Sequence, residues 1–448
     1  MRRGLGTPCL ILALALAAAA AVAAEPMNLI VVLVDDMGWK DLGCQGSPCY
    51  RTPHIDALAA SGVRYTAGYS ACTVCSPSRA ALLTGLAPAR LHLTDWIAGH
   101  EKPDAPLVIP DWSKQLSLEA VTLAERLAAA GYATATIGKW HLGAAGFEPE
   151  RQGFDRNRGG TPKGQPPSYF SPYRIPTLAD GPDGEYLTDR EADEAIDFIA
   201  AHRDRPFFLY LPHHAVHTPL QAKPDVAARY AALPEGPARP PNATYAAMVE
   251  GVDDALGRIV ATLDTLGIRD RTAIVFTSDN GGQASITDNT PLRAGKGSAY
   301  EGGVRVPLVI SWPGRTTPGA TCDEPVITTD IAPTILDCLA LDGGESLDGV
   351  SLRPTFTGGR LPREALYWHY PHYHPGGATP HSAIRSGDWR LVHFYEDGRD
   401  ELYDLAADPG ERNDMAATAV DRRTALRARL DAWLAAVDAQ LPTRREAK

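Results

Sequence analysis

Four short apolar runs along the chain share one plan, and each ends abruptly in polar residues. The runs cover residues 28–34, 133–137, 207–211 and 272–277. Each is short enough for a strand that is buried on both faces, which is the strand type of a parallel sheet. Ligands of open α/β sheets bind outside the carboxyl ends of the strands, so four ends that point one way would form a single site.

Helical patterns fill the stretches between these runs, as the crossovers of a parallel sheet require. The patterns predict helices over residues 55–61, 118–130, 189–202 and 244–266. Two long stretches, residues 87–117 and 144–188, are instead rich in Pro, Gly and charged residues. Loops that long are mostly functional in compact domains, so we expect both to shape a substrate pocket.

The pattern changes after a segment at residues 355–362 that contains Gly-Gly and Pro. Beyond it, short runs predict strands over residues 365–370, 382–385, 389–394 and 401–405. Apolar residues at helical spacing predict a helix over 420–441. We therefore expect an α/β fold with two parts. Residues 27–358 would form a large domain with a mainly parallel sheet between helices, and residues 359–448 a small antiparallel sheet packed by a helix.

Residues 1–24 have the layout of a signal peptide. Two arginines precede an apolar run over residues 10–22, and the small residues Ala23 and Ala24 follow it. The run is too short to span a bilayer comfortably as a helix. We expect the protein to be exported, either periplasmic or secreted, and to lack a stable membrane anchor.

The charge balance limits the classes of partner. The chain has 43 Lys and Arg against 54 Asp and Glu, which gives a formal net charge of −11 at pH 7. Acidic proteins bind nucleic acids poorly, so we expect no nucleic-acid partner. Any anionic substrate must be held by cations gathered locally.

The cysteines do not form a recognisable disulfide framework. There are seven in the full chain, widely spaced. Export permits disulfides, and Cys44 with Cys49, or Cys322 with Cys338, are possible bridges.

Cys75 stands at the start of a predicted helix. In the stretch CSPSRAALLTG, Ser76 is a candidate N-cap, and Pro77 occupies the first helical position, where proline is tolerated. Cys75 would lie just outside the helix N-terminus, where the helix dipole, the free amides and the Arg79 cation favour negative charge. From these residues alone, a buried inert thiol and a nucleophile are both open interpretations.

Oxygen-bearing residues at two strand ends are candidate metal ligands. Asp35 and Asp36 follow the first apolar run, and Asp279 and Asn280 follow the fourth. Their oxygen atoms suit Ca²⁺ or Mg²⁺ better than zinc or copper. Either pair alone could be ordinary loop or helix-capping residues, but two pairs at two strand ends favour a shared divalent cation.

Basic residues follow the other strand ends. Lys139 and His141 are separated by one residue, so an extended segment would turn both to the same side. Lys296 lies in a Gly-rich stretch, where basic groups can hold the oxygen atoms of an anion. The alternatives are solvated surface lysines and, for His217 after the third run, a structural histidine.

Taken together, the Cys75 stretch, the residues that follow the four apolar runs and the Gly-rich stretch around Lys296 resemble the type I sulfatases, which depend on formylglycine. The resemblance covers about residues 27–355, and the C-terminal sheet and helix are also similar to the family's second subdomain. Leu86 departs from the pattern, because many members have a basic residue there, but the Cys-x-Pro-x-Arg core is intact. The matching segments, in the family's order, are DDMGWKDLGCQG, TPHIDALAASG, CSPSRAALLTG, GYATATIGKWHLG, PFFLYLPHHAVHTP, TAIVFTSDNGG and NTPLRAGKGSAYEGGVRVP.

The resemblance implies an alkaline-phosphatase-like fold and a sulfuric ester hydrolase. It implies that Cys75 is converted to formylglycine (3-oxoalanine) by a formylglycine-generating or sulfatase-maturing enzyme. It further implies that Asp35, Asp36, the modified residue 75, Asp279 and Asn280 hold a Ca²⁺ ion, in preference to Mg²⁺.

The resemblance also implies the roles of the remaining site residues. Arg79 would steady residue 75, while Lys139, His141, His217 and Lys296 would surround the sulfate and its leaving oxygen. His217 and Lys296 are candidates to protonate the departing alcohol, and His141 is the candidate base. The acid and base roles of the two histidines could be exchanged.

The expected substrate is a sulfated small molecule, with a saccharide favoured. Export, long loops and the segment YWHYPHYHPGG fit carbohydrate recognition, although a metal site or a plain loop would also explain that segment. Two other functions stay open at this point: a phosphonate or phosphate ester hydrolase of the same superfamily, and a non-catalytic protein that binds sulfated glycans. The residues of the segment and its surroundings that suggest recognition are His369, His372, His374, His381 and Arg385.

Overall fold

The computed structural model describes residues 27–344 and 347–446, so the expected signal peptide at residues 1–24 lies outside the described residues. No helix in the described ranges is both long and apolar enough to cross a membrane. The α-helices are α1 Pro53–Ala60, α2 Cys75–Thr84, α3 Leu123–Ala129, α4 Leu187–Ala201, α5 Pro224–Ala231, α6 Ala243–Thr265, α7 Glu301–Val304, α8 Ile331–Leu339 and α9 Val420–Ala436. The strands are β1 Asn28–Val34, β2 Val63–Tyr65, β3 Gly68–Tyr69, β4 Leu107–Val108, β5 Ala133–Ile137, β6 Arg156–Arg158, β7 Phe207–Pro212, β8 Thr272–Ser278, β9 Leu308–Ser311, β10 Ala320–Cys322, β11 Val326–Ile327, β12 Leu366–Tyr370, β13 His381–Ser386, β14 Trp389–Phe394, β15 Asp400–Asp404 and β16 Thr443–Arg444.

The large sheet has the strand order β10-β2-β9-β8-β1-β7-β5-β6. Its centre is the run β8-β1-β7-β5, whose neighbouring pairs are all parallel. These are the four strands that the apolar runs predict. Only β9 runs antiparallel to both of its neighbours, β2 and β8. The expected mainly parallel sheet is confirmed, and the four central strands bring their carboxyl ends to one edge.

Helices cover both faces of the large sheet, as the continuous apolar runs require. In β1, Ile30 and Val32 pack in one apolar cluster with α1, α4 and α6. Leu29 and Val31 alternate to the other face and pack in a second cluster with α2, α3 and α8. Each aliphatic side chain buried this way contributes about 1.5–3 kcal/mol to folding. Burial on both faces fixes the strand register and therefore the positions of the residues that follow each strand.

The C-terminal part is an antiparallel sheet with the order β12-β13-β14-β15. One face packs against Leu430 and neighbouring leucines of α9, and the other packs on the large domain around Tyr69. The expected small sheet with a covering helix is confirmed. The helix is shorter than predicted, because it ends at Ala436 and Asp438 adopts a left-handed backbone conformation with φ of 54°. The boundary between residues 358 and 359 stays a prediction.

The possible disulfides are absent from the described residues, where all six cysteines are free. Cys322 and Cys338 lie in different elements, β10 and α8, and pack among the apolar side chains of the second cluster. The Cys49 sulfur lies 3.6 Å from the Ser47 hydroxyl. Both proposed pairings, Cys44 with Cys49 and Cys322 with Cys338, are therefore wrong for this structure.

Candidate active site

The residues that follow β1 and β8 lie together at the carboxyl edge of the sheet. The amide of Asn280 donates to Oδ1 of Asp36 at 2.7 Å, and the backbone N–H of Asp36 donates to Oδ1 of Asp279 at 3.2 Å. Asp36 turns back through a left-handed conformation with φ of 65°. Asp35, Asp36, Asp279 and Asn280 are all buried. The two pairs that the sequence predicts as ligands therefore form one cluster.

Two lysines neutralise this cluster. Nζ of Lys139 lies 2.7 Å from Oδ2 of Asp35, and Nζ of Lys296 lies 2.7 Å from Oδ1 of Asp36. Burial by itself would raise the pKa of Asp36, but Lys296 and His217 lower it below its ordinary value overall. Lys139 and Lys296 are thus site residues and not solvated surface lysines.

Arg79 lies beneath the cluster and is fully buried. Its Nε and Nη2 both donate to Oδ2 of Asp279, at 3.0 and 2.7 Å, and its Nη1 donates to the Lys139 carbonyl at 3.1 Å. Arg79 therefore holds the strand-end carboxylate and the next loop in place, and its hydrogen bonds do not go to residue 75. Burial and the neighbouring Asp35 raise the pKa of Asp279 to about 6, although Arg79 opposes the shift.

The helix that carries Cys75 begins two residues earlier than the sequence predicts. Cys75 is the first residue of α2, and the N-cap is Val74, which makes no side-chain capping bond. Ser76 is not the N-cap. Its hydroxyl donates to the His141 carbonyl at 2.9 Å and accepts the Ile97 N–H at 3.2 Å, because these loops approach the helix from elsewhere in the fold.

The Cys75 thiol is buried and electrostatically disfavoured as an anion. Burial raises its pKa above the ordinary value, and Asp35 and Asp279 add to the rise, while Lys139 and Lys296 only partly oppose it. Burial and the two carboxylates thus oppose the negative charge that the helix N-terminus and Arg79 were expected to favour. A protonated thiol is a poor nucleophile, so an unmodified cysteine is badly suited to attack here.

His141 faces residue 75 as a neutral imidazole. Its Nδ1 lies 3.4 Å from the Cys75 sulfur, and its Nε2 is hydrogen-bonded to the Ile97 carbonyl. Burial lowers the pKa of His141 well below its usual value, and Lys139 lowers it further. Because a neutral ring that donates from Nε2 keeps a lone pair on Nδ1, His141 can accept a proton from residue 75.

Lys139 and His141 reach the site through a turn, and not through the extended segment that the sequence suggested. Gly138 has φ of 115°, and a Cβ there would lie 2.1 Å from the Pro212 carbonyl oxygen. His141 itself has φ of 57°. Only glycine fits this close approach of two strand-end loops.

His217 lies beside the carboxylates of the cluster. Its Nδ1 is 2.8 Å from the Thr218 carbonyl, and its Nε2 is 3.7 Å from Oδ2 of Asp36. Ligand atoms of Asp35, Asp36 and His217 lie within 4.8 Å of one another, a spacing that could hold a metal ion. The sequence placed His217 with the catalytic groups and not with the ligands, and this position is compatible with either.

The residues present fit a hard divalent cation. Oδ1 of Asp35 and Oδ1 of Asn280 are buried without a hydrogen-bond partner among the described residues. A buried polar atom left unpaired costs about 1–3 kcal/mol. Carboxylate and amide oxygens are the preferred ligands of Ca²⁺ and Mg²⁺, so a cation bound between them would remove this cost.

Glu191 supports the loop that carries His217, and the sequence analysis missed it. From α4, its two carboxylate oxygens accept from Nδ1 of His213 and Nδ1 of His214, each at 2.6 Å. Burial by itself would raise the pKa of Glu191, but the two imidazoles lower it to about 2. The dipeptide His213-His214 was visible in the sequence, but no pattern pointed to a glutamate in a preceding helix.

The site opens into a cavity of 420 Å³. Trp96 and Ile97 come from the first long loop and Gly164 and Gln165 from the second, so the expectation that both loops shape a pocket is confirmed. Of the C-terminal histidines, His374 reaches the cavity, whereas His369, His372 and His381 are buried away from it. The remaining lining residues are Cys75, His141, His217, Lys296 and Pro375.

Comparison with known proteins gives consistent results. A family model described as sulfatase matches residues 27–341, and a model of the C-terminal region of N-sulphoglucosamine sulphohydrolase matches 295–440. Arylsulfatase A of Homo sapiens is 34% identical, covering 88% of this chain and 84% of that protein. N-acetylgalactosamine-6-sulfatase of Homo sapiens is 35% identical, covering 78% and 69%. The crystal structure of Ps i-CgsB in complex with k-i-k-neocarrahexaose superposes with a TM-score of 0.78 at 29% identity, covering 92% of this chain and 93% of that one.

Proposed function

Because this chain belongs to the sulfatase family, and is a sulfuric ester hydrolase of the alkaline-phosphatase-like fold, we propose that it releases inorganic sulfate from a sulfated saccharide with formylglycine at position 75 and a bound Ca²⁺. The single observation that carries the proposal is the convergence of Cys75, His141, His217 and Lys296 on one cavity beside the carboxylates, with Lys139 paired to Asp35. The family membership favours this chemistry over phosphate or phosphonate hydrolysis and over binding without turnover.

The nucleophile is the formylglycine made from Cys75. The intact Cys-x-Pro-x-Arg core is what a maturing enzyme would recognise. The hydrated aldehyde supplies one hydroxyl to attack sulfur and a second hydroxyl whose deprotonation allows sulfate to leave. His141, with its Nδ1 lone pair directed at residue 75, accepts that proton.

The oxygen atoms of Asp35, Asp36, Asp279 and Asn280 hold the Ca²⁺ together with the modified residue 75. A divalent cation there supplies positive charge next to the sulfate oxygens. Lys139 and Lys296 add fixed ammonium groups on either side of the carboxylates. These cations supply the local positive charge that an acidic protein needs in order to bind an anionic substrate.

Lys296 and His217 act on the leaving oxygen. Both line the cavity, and each is paired with Asp36. Lys296 carries an exchangeable proton as an ammonium group, so it is the proton donor to the departing alcohol. His217 orients that oxygen and Asp36.

A saccharide is the proposed substrate class, and export is the proposed location. The names of two similar proteins refer to N-acetylgalactosamine 6-sulfate and to a neocarrahexaose. The two long loops border the cavity through Trp96, Ile97, Gly164 and Gln165, and the flat ring of Trp96 suits contact with a sugar ring. The signal-peptide pattern of residues 1–24 supports export to the periplasm or medium, which N-terminal sequencing of the mature protein would test.

The test uses full-length protein made together with a sulfatase-maturing enzyme that acts only on cysteine. Sulfate release is measured on a panel of sulfated saccharides and on 4-nitrophenyl sulfate, with 4-nitrophenyl phosphate and a phenyl phosphonate ester for comparison. We expect sulfate esters to be preferred, and the Cys75→Ser protein to be inactive. A preference for phosphonate or phosphate, or turnover by the Cys75→Ser protein, would overturn the proposal.

Two measurements on the same protein separate its parts. Mass spectrometry of the peptide that contains residue 75 should show formylglycine, and an unmodified thiol in active enzyme would contradict the proposed nucleophile. Dialysis against a chelator should remove activity that Ca²⁺ restores better than Mg²⁺. Full activity in metal-free protein would contradict the proposed cation without affecting the nucleophile.

A further inference from the structure

A second cavity, of 840 Å³, adjoins the proposed active site. It shares Lys296, His374 and Pro375 with the smaller cavity around Cys75, so the two cavities adjoin at these residues. Its walls come from the Gly-rich segment at 294–300, the loop around His374 and the turn after β14. A ligand held by its sulfate at residue 75 could extend into this second cavity.

We propose that the second cavity is a subsite for the uncharged saccharide unit joined to the sulfated one. The inference rests on the proposed function, because it assumes that the sulfated unit lies at residue 75. The proposed occupant of the second cavity is neutral and rich in hydroxyl groups. A second sulfated unit is not the preferred occupant. Three features of the cavity walls support it.

The first feature is that Arg399, a cation on the wall of the second cavity, is already paired with carboxylates. Nη1 of Arg399 lies 2.6 Å from Asp397 and its Nε lies 3.1 Å from Glu401, while its guanidinium covers the Phe394 ring at 3.9 Å. A second sulfate would have to compete with these two carboxylates for the guanidinium.

The second feature is an acceptor for sugar hydroxyls. Glu396 lines the cavity, and Tyr373 donates to its Oε1 at 3.0 Å. Its Oε2 has no donor within residues 27–344 and 347–446. Hydroxyl groups donate readily to a carboxylate, and hydrogen bonds to charged groups are stronger than neutral ones. A sulfate, which has only acceptor oxygens, would be repelled by the same group.

The third feature is the neutral imidazole of His374 at the junction of the two cavities. Its Nδ1 accepts the Gly376 N–H at 3.0 Å, so the ring proton is on Nε2. Burial and the nearby Lys296 lower the pKa of His374 to about 4, which keeps the ring uncharged at neutral pH. His374 therefore offers a hydrogen-bond donor without a charge at the point where the two units would be linked.

The experiment compares three matched substrates with the matured full-length enzyme. They are the sulfated monosaccharide of the panel that releases sulfate fastest, the same unit extended by an unsulfated hexose, and that disaccharide with a sulfate on the hexose. We expect kcat/KM to rise about tenfold from the first substrate to the second, and to fall again for the third. Replacing Glu396 by alanine (Glu396→Ala) should bring the ratio of disaccharide to monosaccharide close to one. The exposed control Glu119→Ala should leave the ratio at its wild-type value.

The outcomes separate this inference from the function on which it rests. Sulfate release at equal rates from the monosaccharide and the neutral disaccharide would overturn the subsite and leave the proposed function standing. Faster release from the doubly sulfated disaccharide would overturn the neutral character of the subsite. No release from any saccharide, with 4-nitrophenyl sulfate still hydrolysed, would overturn the proposed substrate class and the subsite with it.

Discussion

Among the individual residues, the site consists of buried side chains of opposite charge that come from distant parts of the sequence. Asp35, Asp279 and Arg79 are completely buried, and the guanidinium donates twice to one Asp279 oxygen. Removing one member of such a group is costly, because it leaves an uncompensated charge out of reach of water. Buried ion pairs of this kind should therefore respond to mutation far more than surface pairs do.

Arg79→Gln should lower the free energy of unfolding by about 3–5 kcal/mol, because Asp279 would lose its buried counter-charge and Asp35 would keep only Lys139. It should also abolish sulfate release. The matched control is Arg90→Gln, since Arg90 pairs with Asp348 at 2.7 Å but is 40% exposed. We expect the control to change stability by less than about 1 kcal/mol. Urea denaturation compares the two, and equal losses would contradict the role assigned to Arg79.

Glu191→Gln should lower kcat at least about tenfold and destabilise the fold by about 1.5–3 kcal/mol. An amide cannot accept from both His213 and His214, and these residues lead directly into the loop of His217. The exposed Asp197→Asn on the same helix is the control and should change neither value. Loss of stability with unchanged kcat would show that Glu191 does not position the site.

The pH dependence of the same variant has a definite sign. The folded pKa of Glu191, about 2, lies below its ordinary value of 4.5. Its stabilising contribution is therefore present above pH 4.5 and is lost as the pH falls towards 2. The stability difference between wild type and Glu191→Gln should shrink over that window, which equilibrium unfolding at stepped pH would measure.

At the scale of elements, the site depends on loops whose backbone is set by glycine. Gly297 lies in the Gly-rich segment beside Lys296 and has φ of 80°. A Cβ there would lie 2.3 Å from Nδ1 of His374, so the segment can pass the imidazole only without a side chain. The segment thereby brings Lys296 and His374 to the same point on the two cavities.

Gly297→Ala should reduce kcat/KM by at least about tenfold and cost more stability than an alanine placed at an equally strained but open position. Gly314 provides that control, because its φ is 72° and no atom lies within 4 Å of its would-be Cβ. Gly314→Ala should show only the cost of the left-handed backbone, about 1 kcal/mol, with normal kinetics. Similar kinetics for the two variants would contradict the packing argument.

At the scale of the whole molecule, a buried charge network joins the large and small domains. Arg390 of β14 lies 3.2 Å from Glu301 of α7 and 3.2 Å from Glu411. Burial raises the pKa of Glu411 to about 8, and the nearby Glu301 adds to the rise, although Arg390 opposes it. Arg390 is shared between two carboxylates, and Glu301 is also paired with Arg305 at 3.4 Å, so Glu411 is the carboxyl group that keeps its proton at neutral pH.

Glu411→Gln should become progressively more stable than the wild type as the pH rises. The raised folded pKa means that the contribution of Glu411 is fully present below about pH 4.5 and is lost as the pH passes about 8. Glutamine keeps the neutral form throughout, so the gap should widen by up to about 1.4 kcal/mol per pH unit in that window. Urea unfolding at stepped pH tests this, with the exposed Glu119→Gln as control, and a gap independent of pH would contradict it.

The strands and the residues that follow them can be read from the amino-acid sequence alone. Burial on both faces leaves a continuous apolar run, so the four central strands were readable, and the parallel arrangement then required Asp35, Lys139, His217 and Asp279 to meet at one edge. The family resemblance of the segments added the chemistry expected of Cys75. These features are local or follow from one rule of sheet topology, which is why one sequence was enough.

The partners of the individual side chains depend on contacts that form when the chain folds. Ser76 is not the N-cap, because its hydroxyl is hydrogen-bonded to two loops that approach the helix. Arg79 donates to Asp279 and not to residue 75. Glu191 and the position of His374 had no local signal, because their contacts join residues far apart in the chain. The direction of the Cys75 pKa shift likewise depends on burial and on the carboxylates from two other strand ends, which act through space and not along the sequence.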